Sequence, residues 1–366
     1  MDFTIEKETL LSALTTLSKI NPTRTTLPIL STVLLKTTSS DSVTLRSTDL
    51  EVEMEIKAGA KVLEQGETCA PIYKLLEITN TITETTVSIN VNETQRMRIK
   101  TSTGKYLLMC NKTEEFPDQR QINDEPKQIS ASFLRETIKK TTYACSKDEL
   151  KPTLNGVLFI FATTSVTAVS TDGHRLVKYV CQQENQHTET VLIPQKFLNI
   201  IGGGAINTKK AQLQTYTDYV VIETESIKLS SRLIAEKFPD YENVIPQENE
   251  NETTVGTKQL LGAVKKVSLM SNKTTKQIIL KLQNNKIFVS AEDHETGGAA
   301  TDEVEAQTSG NELTIGFNSS LLTDILKHQE TEEIKILTSS ALSATLIKPV
   351  GEKETKTTTL LMPIRI

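Results

Sequence analysis

Ile5-Glu6-Lys7-Glu8-Thr9-Leu10-Leu11-Ser12-Ala13-Leu14-Thr15-Thr16-Leu17 is written three times over in this 366-residue chain. It returns as Ile129-Ser130-Ala131-Ser132-Phe133-Leu134-Arg135-Glu136-Thr137-Ile138-Lys139-Lys140-Thr141 and again as Val255-Gly256-Thr257-Lys258-Gln259-Leu260-Leu261-Gly262-Ala263-Val264-Lys265-Lys266-Val267. In each copy a β-branched residue stands five places before an apolar ladder at helical spacing. The ladders are offset by 124 residues (Leu10 to Leu134) and 126 residues (Leu134 to Leu260). A repeat of this period must be read before any single motif, because it changes what each residue means.

The rest of the chain keeps the same period. Val33-Leu34-Leu35 is matched by Val157-Leu158-Phe159 and Ile279-Leu280, and the pairs Leu75 with Ile78, Leu198 with Ile201 and Leu322 with Ile325 recur in order. Phe116-Pro117-Asp118 returns as Phe238-Pro239-Asp240, and Met362-Pro363 closes the third copy. Each unit of about 120 residues is large enough for its own core, so the pattern predicts three tandem domains over 1–122, 123–248 and 249–366 rather than a solenoid. Polar stretches at Gln119 to Lys127 and Pro246 to Thr253 read as linkers. Within each unit the reading is α+β. A helix (about 7–20, 132–146, 258–271) precedes segments that alternate at period two, as in Leu50, Val52, Met54 and Ile56. A second helix is expected to start near Pro71, Pro194 and Asn318, and Gly202-Gly203-Gly204 reads as a helix stop.

Composition narrows the class. Hydrophobic content of 37% with 24% charged residues describes a globular chain, and the longest apolar run, Gly156 to Ala162, is too short to span a bilayer. Asp2 and Glu6 interrupt any signal-like start, so a cytoplasmic location is expected. Cys69, Cys110, Cys145 and Cys181 show no CxxC spacing, which argues against zinc and against a disulfide framework. Net charge is -5, yet lysines recur at one repeat position: Lys139-Lys140 and Lys265-Lys266 are 126 apart, and Lys74 and Lys196 open the second helix of two units. Such a pattern suggests a basic face that holds phosphates without reading bases, although solvated helix faces carry lysine too. With no Trp and 4% aromatic residues, stacking on bases is not the mode.

Thr171-Asp172-Gly173-His174-Arg175-Leu176 is the one stretch with a catalytic look, since an Asp beside a His can orient a general base. The repeat counts against a hydrolase. Thr48-Asp49 lies 123 residues earlier and Glu292-Asp293 lies 121 later, so the carboxylate belongs to a turn common to all three units. No histidine forms metal-ligand spacing with His174, and no Ser or Cys has a nucleophile-elbow context.

Six motifs in order, Leu27-Pro28-Ile29-Leu30, Thr48-Asp49-Leu50-Glu51-Val52-Glu53-Met54, Leu154-Asn155-Gly156, Thr171 to Leu176, Phe238-Pro239-Asp240-Tyr241 with Val244-Ile245-Pro246, and Met362-Pro363-Ile364-Arg365-Ile366, resemble the bacterial β sliding clamp family over the whole chain. These are processivity subunits of the replicative DNA polymerase. The resemblance implies a head-to-tail homodimer closed into a ring, sheets outside and helices inside, encircling double-stranded DNA without enzymatic activity, metal or cofactor. It implies DNA-facing roles for Arg24, Lys74, Lys139, Lys140, Lys196, Lys265 and Lys266. Ring closure would join Lys105, Tyr106 and Leu108 to Leu269 and Met270 of the other copy, with Glu292, Asp293, Glu295, Asp302 and Glu303 as a charge complement.

A pocket for linear peptides of the DNA polymerase III α subunit, the clamp loader and other replication and repair proteins would be lined by Leu154, Thr171, Gly173, His174, Arg175, Leu176, Pro239, Val244, Leu360, Met362, Pro363, Ile364 and Arg365. Asn243 stands where relatives commonly carry arginine, and Lys151-Pro152-Thr153 departs from the family before Leu154. The other reading of the same residues is a three-domain peptide-binding scaffold that does not encircle DNA.

Overall fold

The computed structural model describes residues 1–22, 24–102, 104–119, 124–352 and 355–366. The described residues form two compact units, and the division does not follow the repeat. One unit takes Met1–Ser132 with Lys196–Leu233; the other takes Phe133–Gln195 with Ile234–Ile366. The central repeat is shared between them, because each of its two groups of strands extends a sheet begun by a neighbouring repeat. The expected boundary at 122 lies outside the described residues.

In the first unit one antiparallel sheet runs from the edge strand Lys105–Met109 through Arg96–Lys100, Thr86–Val91, Asp2–Glu6 and Val52–Glu64. It continues into Ile227–Arg232, Tyr219–Glu223, Gln212–Thr215 and Lys127–Ser130. The long strand Val52–Glu64 makes this possible. Its C-terminal part pairs with Asp2–Ile5, while its first residues pair on one side with Ser42–Thr48 and on the other with Ile227–Ser231. The helix Lys7–Leu17 buries Leu10, Leu14 and Leu17 completely and packs on the second helix, Ile72–Thr81. Each such leucine stabilises by about 1.5–3 kcal/mol relative to exposure.

In the second unit the sheet order is Glu189–Pro194, Gly156–Ala162, Ser165–Thr171, Arg175–Gln182, Thr355–Leu361, Thr345–Pro349, Glu333–Thr338, Asn251–Gly256, Gly298–Ser309, Lys286–Asp293, Gln277–Gln283 and Leu313–Asn318. The helices Thr257–Ser268 and Ser319–Lys327 bury Leu260, Val264, Val267, Leu322 and Ile325 in one core. Asn318 caps the latter helix, its side-chain oxygen accepting from the Ser320 and Leu321 amides at 3.0 and 3.2 Å.

Two expectations need correction, and a third holds. The first helices, Lys7–Leu17, Leu134–Thr141 and Thr257–Ser268, are shorter than the expected 7–20, 132–146 and 258–271. The central one, Leu134–Thr141, yields to a tight turn at Thr142–Ala144, where the Thr137, Thr141 and Thr142 hydroxyls bond back to carbonyls four residues earlier. Leu50 is not a strand residue: it sits exposed at φ 79° in the turn before Val52, and the period-two alternation starts only there. Gly204, at φ 85°, ends the Gly202–Gly204 stop in a conformation that disfavours a side chain.

Candidate functional site

Strand register in the second unit builds an apolar row across four strands. Leu176 pairs with Leu360, Leu360 with Leu346, and Leu346 with Leu337. Because side chains alternate along a strand, the neighbours Leu361, Ile347 and Ile336 point to the opposite face and join the helix-covered core. The row itself joins Leu158, Val169, Leu192 and Phe238 in a separate cluster, edged by Ile160, Ile234, Tyr241, Ile245 and Ala344. Two consecutive apolar residues on one strand thus serve two different jobs.

The turn after Ser165–Thr171 shapes one lip of this cluster. Asp172 accepts the His174 and Arg175 amides, both at 2.9 Å, and Gly173 takes φ 90°. The Thr171 hydroxyl donates to the Arg175 carbonyl at 2.6 Å. Asp49 and Asp293 perform the same service in the other repeats, accepting from the Glu51 and Val52 amides and from the Glu295 amide. The carboxylate of Asp172 is therefore spent on backbone and on the Arg175 guanidinium (3.0 Å), and is not oriented to activate the exposed His174.

The C-terminal segment continues this lip. The Met362 amide donates to the His174 carbonyl at 2.9 Å, and the Ile364 amide to the Gly316 carbonyl at 2.8 Å. A side chain at 316 would lie 2.8 Å from the Ile364 oxygen, so glycine is what admits the tail. Met362 and Val244 stay 42% and 51% exposed, apolar side chains at the rim of a cluster whose floor is buried. Such exposure beside a buried apolar cluster is the mark of a binding surface rather than of a finished core. Burial of Tyr241 pushes its hydroxyl up to about 12.

The expected pocket residues divide accordingly. Leu176 and Leu360 are floor; Thr171, Gly173, His174 and Met362 are lip; Pro239 and Val244 are exposed on the segment that carries Phe238. Leu154 is half-buried in the turn Pro152–Leu154, and Pro363, Ile364 and Arg365 lie along the tail, with the Arg365 carbonyl accepting from Gln277 at 3.3 Å. Arg175 is corrected from a lining residue to a positioning one. It is 7% exposed, it bonds Asp172, Asp324 and the Tyr143 carbonyl (2.7 Å), and it stacks over the Tyr143 ring at 5.2 Å. Phe238, Tyr241, Ile245, Leu337 and Leu346 were not expected. Phe238 and Tyr241 were signalled by the recurring Phe-Pro-Asp, but the two leucines become visible only through register.

The basic positions also change in detail. Arg24 and Lys265 are exposed. Lys74 pairs with Glu77 at 2.8 Å, Lys196 with Asp49, Lys139 with Glu330 and Lys266 with Asp302. Lys140 is corrected: it is 6% exposed and held by Glu330 at 2.9 Å, because its position, about 100° round the helix from exposed Lys139, turns toward the buried side.

At the edges, Lys105–Met109 pairs only with Arg96–Lys100 among the described residues, leaving Leu107 and Met109 69% and 61% exposed. Among the described residues, 298–305 pair only with Lys286–Asp293, next to exposed Leu269 and Met270. Of the expected acids there, Asp293 is a buried turn residue, and Asp302 and Glu303 already pair with Lys266 and Lys286.

Three family descriptions match the chain in tandem: DNA polymerase III beta subunit, N-terminal domain, at residues 1–120, central domain at 128–240, and C-terminal domain at 242–365. The chain belongs to the DNA polymerase III beta subunit family. It is 29% identical to the beta sliding clamp of Pseudomonas putida, with all of both chains covered. Among solved structures it resembles the DNA polymerase III subunit beta from Pseudomonas aeruginosa (28% identity, TM-score 0.90, all of both chains) and the DNA polymerase sliding clamp from Bacillus subtilis (25%, TM-score 0.91, 100% of this chain and 99% of that one). Neighbours at lower identity, such as the beta chain from Streptococcus pneumoniae at 22% and TM-score 0.93, share the fold.

Among the described residues no helix is long and apolar enough to cross a membrane. Among the described residues no cluster of His, Cys, Asp and Glu could hold a metal ion. All four cysteines are buried free thiols, and burial raises Cys69 and Cys145 to about 12.

Proposed function

We propose that this chain is a non-enzymatic sliding clamp that encircles double-stranded DNA as a head-to-tail homodimer and tethers the DNA polymerase III α subunit, the clamp loader and other replication and repair proteins through the apolar site beside His174 and Met362. It acts in the bacterial cytoplasm, as three domains over 1–122, 123–248 and 249–366. The observation that carries the peptide reading is the apolar row of buried Leu176, Leu360 and Leu346 and half-buried Leu337, beside which Met362 and Val244 stay exposed. Exposed valine and methionine over a buried floor accept apolar anchors from several partners, and the flexible Met362 adapts to each.

The strand edge Lys105–Met109, with Tyr106 and Leu108, supports closure against the free edge at 298–305 of a second copy and against Leu269 and Met270. Two such contacts close a ring of two. DNA would be held loosely by Arg24, Lys74, Lys139, Lys196, Lys265 and Lys266, several of which must exchange a carboxylate for a phosphate to do so. That suits sliding, where each contact is weak and sequence-independent.

The deciding test is fluorescence anisotropy of a labelled polymerase tail peptide with the intact chain and with a chain lacking residues 362–366. Binding lost on truncation supports the cleft; equal binding by both overturns it. For DNA, Lys139→Glu with Lys265→Glu is expected to shorten retention on circular DNA at moderate salt, and unchanged retention would favour a scaffold that does not encircle DNA.

A further inference from the structure

Two residues along the same strands from the apolar row, on the same face and about 7 Å away, the side chains turn basic. Lys178 follows Leu176, Thr358 precedes Leu360, Lys348 follows Leu346 and Lys335 precedes Leu337; Lys356, paired with Val180, lies one step further. Lys178, Lys348 and Lys356 line a cavity of about 730 Å³ whose wall also includes Ile245, Leu337 and Leu346 of the apolar cluster, so the two sites are continuous. Glu242 pairs with Lys178 at 3.2 Å and Glu252 with Lys335 at 2.7 Å. Lys348 and Lys356 have no ion pair among the described residues. Asn249 also lines this cavity, its side-chain oxygen buried with no hydrogen-bond partner among the described residues.

We propose that this basic row receives acidic residues flanking the apolar anchors of the partner peptide, with Lys348 and Lys356 as its principal cations. The inference rests on the peptide-cleft reading and adds the chemistry of the flank. The first unit shows that such a row need not be basic. There the matching register is Glu55, Lys228 and Glu223, charges that alternate and answer one another within the sheet. In the second unit no acid stands in the corresponding strand positions Lys178, Thr358, Lys348 and Lys335.

Exposed pairs are screened, so the effect is modest and salt-sensitive. The experiment uses a labelled polymerase tail peptide as it stands, with a short run of glutamates added at either end, and with lysines added instead. An added acidic run at one end is expected to tighten binding about three- to tenfold at low salt. The gain should vanish at high salt and in Lys348→Glu/Lys356→Glu, while the unextended peptide binds that variant as it binds the parent.

No gain at either end, or a gain that survives the substitutions, overturns the proposal while leaving the cleft intact. Failure of the unextended peptide to bind the parent chain removes the cleft reading and this one with it. If glutamates give no gain and a single-stranded oligonucleotide binds the parent but not the substituted chain, the lysines belong to nucleic acid and the proposal is wrong.

Discussion

The cleft under Phe238 has a counterpart under Phe116, and the two differ in side chains more than in backbone. Across the second unit the register reads Leu176, Leu360, Leu346, Leu337; the corresponding register in the first unit reads Glu53, Ser230, Val221, Gln214. Where Val169 pairs with Leu158, Arg46 pairs with Leu34, and the guanidinium lies 5.1 Å over the Phe116 ring and donates to the Pro117 carbonyl at 2.5 Å. The first-unit cavity, about 540 Å³, is walled by Lys36, Arg46, Glu55, Glu67 and Asp118. One scaffold therefore yields an apolar receptacle and a charged counterpart. Desolvating such charges for an apolar guest would cost more than the contact returns.

The sharpest way to break this comparison is to write one cleft into the other. Leu176→Glu with Leu360→Ser should abolish binding of the polymerase tail peptide, a loss of more than about a hundredfold, and lower unfolding free energy by about 4 kcal/mol or more in urea titrations. Retained affinity would mean that the leucine row is not the floor.

Next in size, Arg175→Met strands Asp172 below the lip and should cost about 3 kcal/mol of stability in the same assay. It should weaken the peptide only through disorder of the turn. A loss of peptide affinity at unchanged stability would return Arg175 to the lining.

In the first unit Arg46→Leu should cost about 1–2 kcal/mol, from the lost bond to Pro117 and the lost stacking. Calorimetric titration should still give one peptide per chain, because Glu53 and Ser230 keep the row polar. A second equivalent of peptide would show that Arg46 alone closes the counterpart cleft.

The thiols give a comparison in pH. Cys69 in the first unit and Cys145 in the second are each held by burial at about 12, above the ordinary 9.0. A raised pKa means that the folded chain keeps a proton the unfolded chain releases. Stability from this source is whole below about 9 and falls as pH rises toward 12. Urea midpoints at pH 8 and pH 10 should show the loss, and Cys145→Ala should flatten it.

The smallest effect lies at Glu330, whose carboxyl is held below its usual range by Lys139 and then Lys140. Its contribution is present above the unfolded glutamate pKa and lost as pH falls through the lower folded value. Glu330→Gln should therefore reduce acid sensitivity slightly, and unchanged acid titration would show that the two lysines contribute nothing there.

Much of this was legible in residue order. The ladders Leu10, Leu134 and Leu260 announced the helices, and the recurring Asp49, Asp172 and Asp293 announced a shared turn rather than a catalytic base. Lys140 was misread because adjacency in sequence was taken for adjacency on a helix face. Leu337 and Leu346 were invisible as site residues, since nothing in Ile336-Leu337 or Leu346-Ile347 says which of two apolar neighbours faces which side.

By itself, the sequence determined the three repeats, their α+β character and the family, because these follow from local periodicity and from motifs in a common order. Only the tertiary structure decided that the central repeat is divided between two sheets, that Arg175 and Lys140 are consumed by internal partners, and that four leucines from four strands meet in one row. The physical reason is that strand pairing carries residues more than a hundred positions apart into contact, and its register, not local propensity, selects which face each side chain joins.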